Sequence, residues 1–312
     1  VTDARPIAVA IGDPNGIGPE IAVKAAAALK ACGGPPVTLV GDAFVIRHYA
    51  ERLGVEDDDL AMLDVGSLPT AEFAPGRICA AAGRATVDYC ARALALAQDG
   101  HARAIVGCPH SETAIAAAGI PFSGYPSLIA RLTGQPEDRV FLMLVGGGLR
   151  IVHATLHERL ADALARLGPG LVEAAARTAA DALQRLGLAR PRIGLFGVNP
   201  HAGEGGLFGA DDEHVTVPAA AALRQAGLEV EGPAGADVLL GQGGCDLYVA
   251  MYHDQGHIPV KLLAGRTASA LTIGAGVLFS TVGHGSAFDI AGRGVADPEA
   301  TLRTLRLLAG AA

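Results

Sequence analysis

Ile7-Ala8-Val9-Ala10-Ile11 runs directly into Gly12-Asp13-Pro14-Asn15-Gly16-Ile17-Gly18-Pro19-Glu20 and then into the helix-forming run Ile21 to Ala31. Five apolar residues, three of them β-branched, read as a strand buried on both faces. A glycine-rich turn and a proline at the first helical position complete a βα unit whose loop lies at the ligand edge of a sheet. The loop is neither GxGxxG nor a Walker loop, since no Gly-Lys-Ser/Thr follows. It is either a phosphate cradle or a tight turn that needs glycine for backbone reasons.

The same pattern continues outward. Strands are expected at 36–41, 104–106, 193–197 and 246–251, and helices at 43–53, 85–99, 171–186, 215–226 and 298–308. Residues 54–82 read as irregular, with short strand candidates. The runs 140–145 and 149–155 flank Gly146-Gly147-Gly148 as a hairpin, so the sheet is mixed. Further strands are expected near 270–273 and 277–279. The class is α/β.

Composition narrows the function. At 312 residues the chain can hold two domains, and with 4% aromatic residues and no Trp its packing falls to Leu, Val, Ile and Ala. The net charge of -8 is spread without a basic stripe, which argues against nucleic acid. Five cysteines without CxxC spacing argue against a disulfide framework and for a reducing cytoplasm. No stretch suits a membrane span, and the first residues lack the layout of a signal peptide. Cys108, in Gly107-Cys108-Pro109-His110, is a minor candidate nucleophile with His110 as its base.

The densest chemistry lies in Tyr252-His253-Asp254-Gln255-Gly256-His257-Ile258-Pro259-Val260-Lys261, read as a polar loop just past a buried strand. Two other histidines also follow strands: His157 after 149–155, and His201 in Asn199-Pro200-His201-Ala202-Gly203-Glu204. Three imidazoles at three strand ends make a catalytic metal site with an open position; the alternative is scattered histidines that serve their own loops. A second cluster, His284 to Pro298, is either a nucleotide-wrapping loop or an ordinary glycine-rich connection.

The blocks Gly12–Glu20, Gly119-Ile120-Pro121-Phe122, Asn199–Gly206, Tyr252–Gly256 and His284–Gly294 together resemble the 4-hydroxythreonine-4-phosphate dehydrogenase family, in order along nearly the whole chain. The His284–Asp297 stretch is also similar to the NAD loop of isopropylmalate and isocitrate dehydrogenases. The resemblance implies two α/β domains of that fold with the active site in the cleft between them: residues 1–125 with 265–312, and a central 126–264. It implies His157, His201 and His253 as ligands of a divalent metal, zinc being the best match to three imidazoles. NAD would be held by His284, Gly285, Ser286, Ala287, Asp289, Gly292 and Asp297. It further implies a homodimer whose sites are shared across the interface, and a small-molecule substrate met by Lys261, with Asp254 orienting a ligand histidine.

The departures bear on that substrate. A His-Thr pair of the family is Tyr125-Pro126 here; an asparagine and an arginine fall on Ala270 and Phe279; Gly283 and Glu112 replace an aspartate and a lysine. Each lost charge-assisted hydrogen bond is worth about 1.5–3 kcal/mol, and an apolar Phe would leave a phosphate unpaired. Together with Cys108–His110, Ser123–Leu128 and Thr155–Glu158, these positions resemble the branch that oxidises and decarboxylates terephthalate cis-dihydrodiol with NAD. That reading makes Tyr125, His110, Phe279 and Lys261 the substrate residues. The alternatives are a four-carbon phosphate as substrate, an acyltransferase of related fold, or a metabolite-binding protein without turnover.

Overall fold

The computed structural model describes residues 4–283 and 285–310, apart from the side chain of Arg266. Its strands are β1 (Ile7–Ala10), β2 (Val37–Gly41), β3 (Ala61–Asp64), β4 (Ala104–Gly107), β5 (Phe141–Gly146) and β6 (Leu149–His153). They continue with β7 (Ile193–Phe196), β8 (Val230–Ala234), β9 (Leu247–Ala250), β10 (Ser269–Ile273) and β11 (Phe279–Val282). The chain divides into two compact units, one up to Leu128 together with the residues from Gly276 onward, the other Ile129–Ala275.

The first unit is a parallel sheet in the order β3-β2-β1-β4-β11. All four residues of β1 are buried, as the apolar run requires, and the helix Ala80–Gln98 packs over β1. That helix also meets the helix Glu112–Ala117 at Gly83, where a Cβ would stand 2.1 Å from the Ala114 carbonyl oxygen.

The second unit is mixed, in the order β10-β5-β6-β9-β7-β8. β5 is antiparallel to both β10 and β6, whereas β6, β9, β7 and β8 run parallel. The hairpin around Gly147 is therefore present. Residues 265–275, grouped by sequence with the C-terminal segment, lie in this second unit because β10 pairs with β5. Leu142, Leu144, Ile151, Phe196, Tyr248 and Val260 share its core.

Three readings need correction. β3 lies within 54–82, where only unplaced short strands are expected, and β8 has no counterpart in the sequence reading; both are only partly buried. The last strand is 279–282, and the Ile105 amide donates to the Leu278 carbonyl where its ladder with β4 begins. Most consequentially, the stretch from His253 onward is the helix His253–Ala264 rather than a loop. Pro259 costs it an internal hydrogen bond, but Val260 buries fully against the sheet and adds about 1.5–3 kcal/mol.

Among the described residues no helix is long and apolar enough to cross a membrane, and all five cysteines are free. Gly83→Ala tests the helix contact. On an open helix the change would stabilise by about 1 kcal/mol; here overpacking is expected to destabilise by about 1–3 kcal/mol, read from the urea midpoint.

Candidate active site

In the second unit β6, β9 and β7 are parallel neighbours, so their carboxyl ends open on one edge of the sheet. Side chains tie those ends together. Thr155 Oγ1, past β6, donates to the Met251 carbonyl past β9 at 2.7 Å. Gln255 Oε1 accepts from the Met251 amide at 2.7 Å, and its Nε2 donates to the Gly197 carbonyl past β7 at 2.7 Å. The helix His253–Ala264 is thereby fixed by its first turn.

Its face carries His253, His257 and Lys261, four residues apart each time. The His253 and His257 rings stack with centroids 3.8 Å apart and planes 15° from parallel. His157, from the loop after β6, closes the group: one ligand nitrogen from each of His157, His253 and His257 lies within 4.8 Å of the others. His253 Nδ1 is 2.7 Å from Asp254 Oδ1. A carboxylate only accepts, so Nδ1 carries a proton, and in the neutral ring Nε2 keeps its lone pair. Beside the group is a cavity of about 360 Å³ lined by Thr155, His157, Glu158, Tyr252, His253 and Asp254. Arg166 grips the Glu158 carboxylate with bonds of 2.6 and 2.8 Å, which steadies the residue next to His157 and holds that carboxyl below its usual range.

His257 Nδ1 is 3.0 Å from Nε2 of His153, and His153 Nδ1 is 3.2 Å from the Leu142 carbonyl. Burial, and then the neighbouring imidazoles, push His153 down to about 3 and His257 to about 4. A Cβ on Gly256 would stand 2.4 Å from His153 Nε2, so only glycine lets the helix come this close.

His201 stands apart from this group. It is exposed on the turn Pro200–Gly203 beyond β7, with Nδ1 2.9 Å from the Glu204 carboxylate. His201, Ala202 and Glu204 all hold left-handed φ values of 54°, 52° and 46°. Such strain persists only where the surroundings impose it. The buried Asp212 carboxylate does so, accepting from the amides of Val198 (2.8 Å) and Asn199 (3.0 Å) and from Thr216 Oγ1 (2.6 Å).

In the first unit the loops after β1 and β4 meet where the strand order switches direction, the Asp13 amide donating to the Pro109 carbonyl at 2.9 Å. The 285–297 loop lies against the first of them. The Ile17 amide donates to the Ser286 carbonyl at 2.9 Å, and a Cβ on Gly16 would come 2.8 Å from that of Ser286. The buried Glu20 carboxylate accepts from the amides of Ala296 (2.8 Å) and Gly294 (3.2 Å). Lys24 donates to Glu20 and to the carbonyls of both those residues at 2.7–2.9 Å. Asp13 Oδ2 and Ser286 Oγ are buried without a partner. Ala287 is left-handed, Asp289 is exposed, the Gly292 carbonyl accepts from Arg52, and Asp297 accepts from the Glu299 amide at the start of the last helix. His284 lies outside the described residues.

Tyr125 and Phe279 pack at 4.8 Å between ring centroids, with His110 on Tyr125 at 4.7 Å and Phe122 beside both His110 and Tyr125. Burial lowers the pKa of His110 and raises that of Tyr125. Cys108 is no nucleophile: it is wholly buried, and burial pushes its thiol up to about 12.

The family model of the pyridoxal phosphate biosynthetic protein PdxA matches residues 20–308. The chain belongs to that family. It is 52% identical to 1,2-dihydroxy-3,5-cyclohexadiene-1,4-dicarboxylate dehydrogenase of Comamonas sp, with 97% of each chain covered. It is 42% identical to D-threonate 4-phosphate dehydrogenase of Cupriavidus necator, over 96% of this chain and 95% of that one. The crystal structure of a terephthalate 1,2-cis-dihydrodiol dehydrogenase from Burkholderia xenovorans LB400 superposes with a TM-score of 0.81 at 56% identity, covering 99% and 98%. In fold alone the chain is also like a β-decarboxylating dehydrogenase of Thermococcus kodakarensis (TM-score 0.52, 17% identity, 97% and 82% covered). The relatives in sequence are dehydrogenases.

Within this family member, sequence reasoning missed His257, His153, Gly256 and the Glu20–Lys24 clamp. The signal for His257 was present as the spacing of His253, His257 and Lys261. A pH experiment tests the buried pair. An imidazole that stays neutral when folded but titrates near 6.5 when unfolded binds its proton only in the unfolded state. Stability of the metal-free protein is then complete above pH 6.5 and falls towards pH 3, by up to about 1.4 kcal/mol per pH unit from His153. His153→Phe is expected to flatten that part of the urea-stability profile.

Proposed function

We propose that this chain is an NAD- and metal-dependent dehydrogenase that oxidises and decarboxylates the cis-dihydrodiol of terephthalate, giving protocatechuate and CO2. The observation that carries the reading is the packing of Tyr125 on the fully buried Phe279, at positions where the family resemblance implies phosphate-binding groups. Uncharged rings that bury one another at these positions supply a phosphate dianion with no charge-assisted hydrogen bond, which a planar diene ring does not need. Identity of 52% along 97% of the chain to a dehydrogenase named for this dihydrodiol supports it.

The residues present fit the groups that the reaction needs. His157 and His253, with His201 as the ligand the resemblance implies, are nitrogen donors suited to a borderline divalent ion such as zinc, and Asp254 holds His253 with its lone pair outward. The 285–297 loop fits a dinucleotide, because Ser286 offers a buried hydroxyl without a partner where it packs against Gly16 of the glycine-rich loop after β1. His284, Gly285, Ala287, Asp289, Gly292 and Asp297 complete that assignment. Bound there, the metal supplies a Lewis acid for the vicinal hydroxyls and NAD a hydride acceptor.

Lys261, exposed on the helix face that carries His253 and His257, pairs with a substrate carboxylate. Tyr125 and His110 line the ring. Removing hydride from the carbinol carbon and the proton from its hydroxyl gives a ketone β to the neighbouring carboxylate. That carboxylate leaves as CO2, its electron pair forming the third double bond of the ring, so the enolate is already the aromatic catecholate and takes up one proton to become the diol. A homodimer is part of the proposal: Ile258, Leu262 and Leu263 on the same helix are exposed at 54%, 80% and 64%, an apolar surface that suits burial by a second copy.

The second reading, oxidation of a four-carbon phosphate, is favoured by 42% identity to a D-threonate 4-phosphate dehydrogenase. NADH formation on both substrates separates them. Turnover of the dihydrodiol is expected; turnover of the phosphate alone would overturn the proposal. Lys261→Met is expected to raise KM for the dicarboxylate about 10- to 100-fold, the equivalent of one charge-assisted hydrogen bond, with circular dichroism unchanged.

A further inference from the structure

We propose that His257 is itself a metal ligand, forming with His157 and His253 a three-imidazole set within one chain, and that His153 is the positioning residue that aims it. This rests on the metal-dependent reading above and adds to it a ligand outside the set of His157, His201 and His253. One ring nitrogen of each residue already lies within 4.8 Å of one from each of the others. His253 and His257 are four residues apart on a helix, a spacing at which two imidazoles on one face share an ion.

The hydrogen bonds fix which nitrogen of His257 is available. The Leu142 carbonyl can only accept, so the proton of His153 is on Nδ1. His153 is 1% exposed, and a second proton there would be a buried charge, so its Nε2 is a lone pair. His257 Nδ1, 3.0 Å away, must then donate. That leaves Nε2 of His257 unprotonated, the state in which an imidazole binds a metal. His253 reaches the same state through Asp254. Two stacked imidazoles are thus held in the same tautomer by two unrelated partners, one a carboxylate and one a buried histidine.

Simple packing does not require this arrangement. Filling the space under the helix with an apolar pair would avoid burying His153 and would not need Gly256 to stay bare beneath its Nε2. Ligation by His257 accounts for the stack, the buried pair and the glycine together.

The test is Co(II) binding to the full chain, followed by visible absorption and by competition with a chromophoric chelator. His257→Leu is expected to weaken Co(II) binding about 100-fold and to change the ligand-field bands; His153→Phe is expected to weaken it about 10- to 100-fold. Two-bond proton–nitrogen NMR of the metal-free protein reads the tautomer directly. His257 should be protonated at Nδ1 in the parent and lose that preference in His153→Phe, a change that a merely structural role would not produce. His157→Ala and His253→Ala separate the two levels of the argument. If those variants lose Co(II) while His257→Leu keeps the parent affinity and spectrum, this inference is overturned and the metal reading stands. If the parent binds no Co(II), or none of the three substitutions matters, both fall. Should His257→Leu fail to fold, His257→Phe, of similar shape and without a ligand atom, carries the same expectation.

Discussion

The helix His253–Ala264 can lie on β6 only because residue 256 has no side chain. A methyl group there would occupy the space of the His153 ring nitrogen, 2.4 Å away. The helix would have to lift, and Val260 would leave the core that holds its other end. Every feature of the histidine group depends on this approach: the His257–His153 bond, the stack with His253, and the distance of both from His157. The cost of Pro259 inside the helix is borne for the same reason, since the surrounding contacts and the Gln255 bridge fix the segment regardless of its modest propensity.

The first unit solves a different problem with different means. Its loops after β1 and around 285–297 carry few large side chains, so backbone atoms must hold one another. Buried Glu20 and partly exposed Lys24 serve as a pair that satisfies two amides and two carbonyls of the later loop, and neither ion is left without partners. Two of the buried polar atoms left without a partner in this unit, on Asp13 and Ser286, lie on these loops; the others are on Tyr49 and Thr301. A region so well tied yet locally incomplete is what a ligand-binding loop on a rigid sheet requires.

Much of this was legible in the residues. Strand ends could be read from short apolar runs, and β6, β9 and β7 do lie side by side, which brings His157 and His253 together. The family was legible from ordered blocks such as Asn-Pro-His-Ala-Gly-Glu. What escaped was anything set by contact rather than by pattern. Gly256 and Pro259 read as loop formers because their penalties are local and the compensation is tertiary. β3 and β8 are partly exposed and gave no period. His153 carries no signal beyond its four-residue spacing from His157, since nothing in a single chain of letters says that its ring meets a helix a hundred residues later. His110, Tyr125 and Phe279 do form one cluster, with Tyr125 and Phe279 as buried rings and His110 half-buried beside them.

The face bearing His253, His257 and Lys261 has one more implication. With a rise of 1.5 Å per residue, successive members are separated by about 6 Å along the axis, and a helix does not stretch. The helix is therefore a ruler. The ammonium and the imidazoles move as one rigid body, so a longer or shorter molecule cannot be accommodated by sliding one of them. Divergence towards new substrates must come from residues off this helix, and it is there, at Tyr125, Pro126 and Phe279, that this chain departs from the pattern its family resemblance implies.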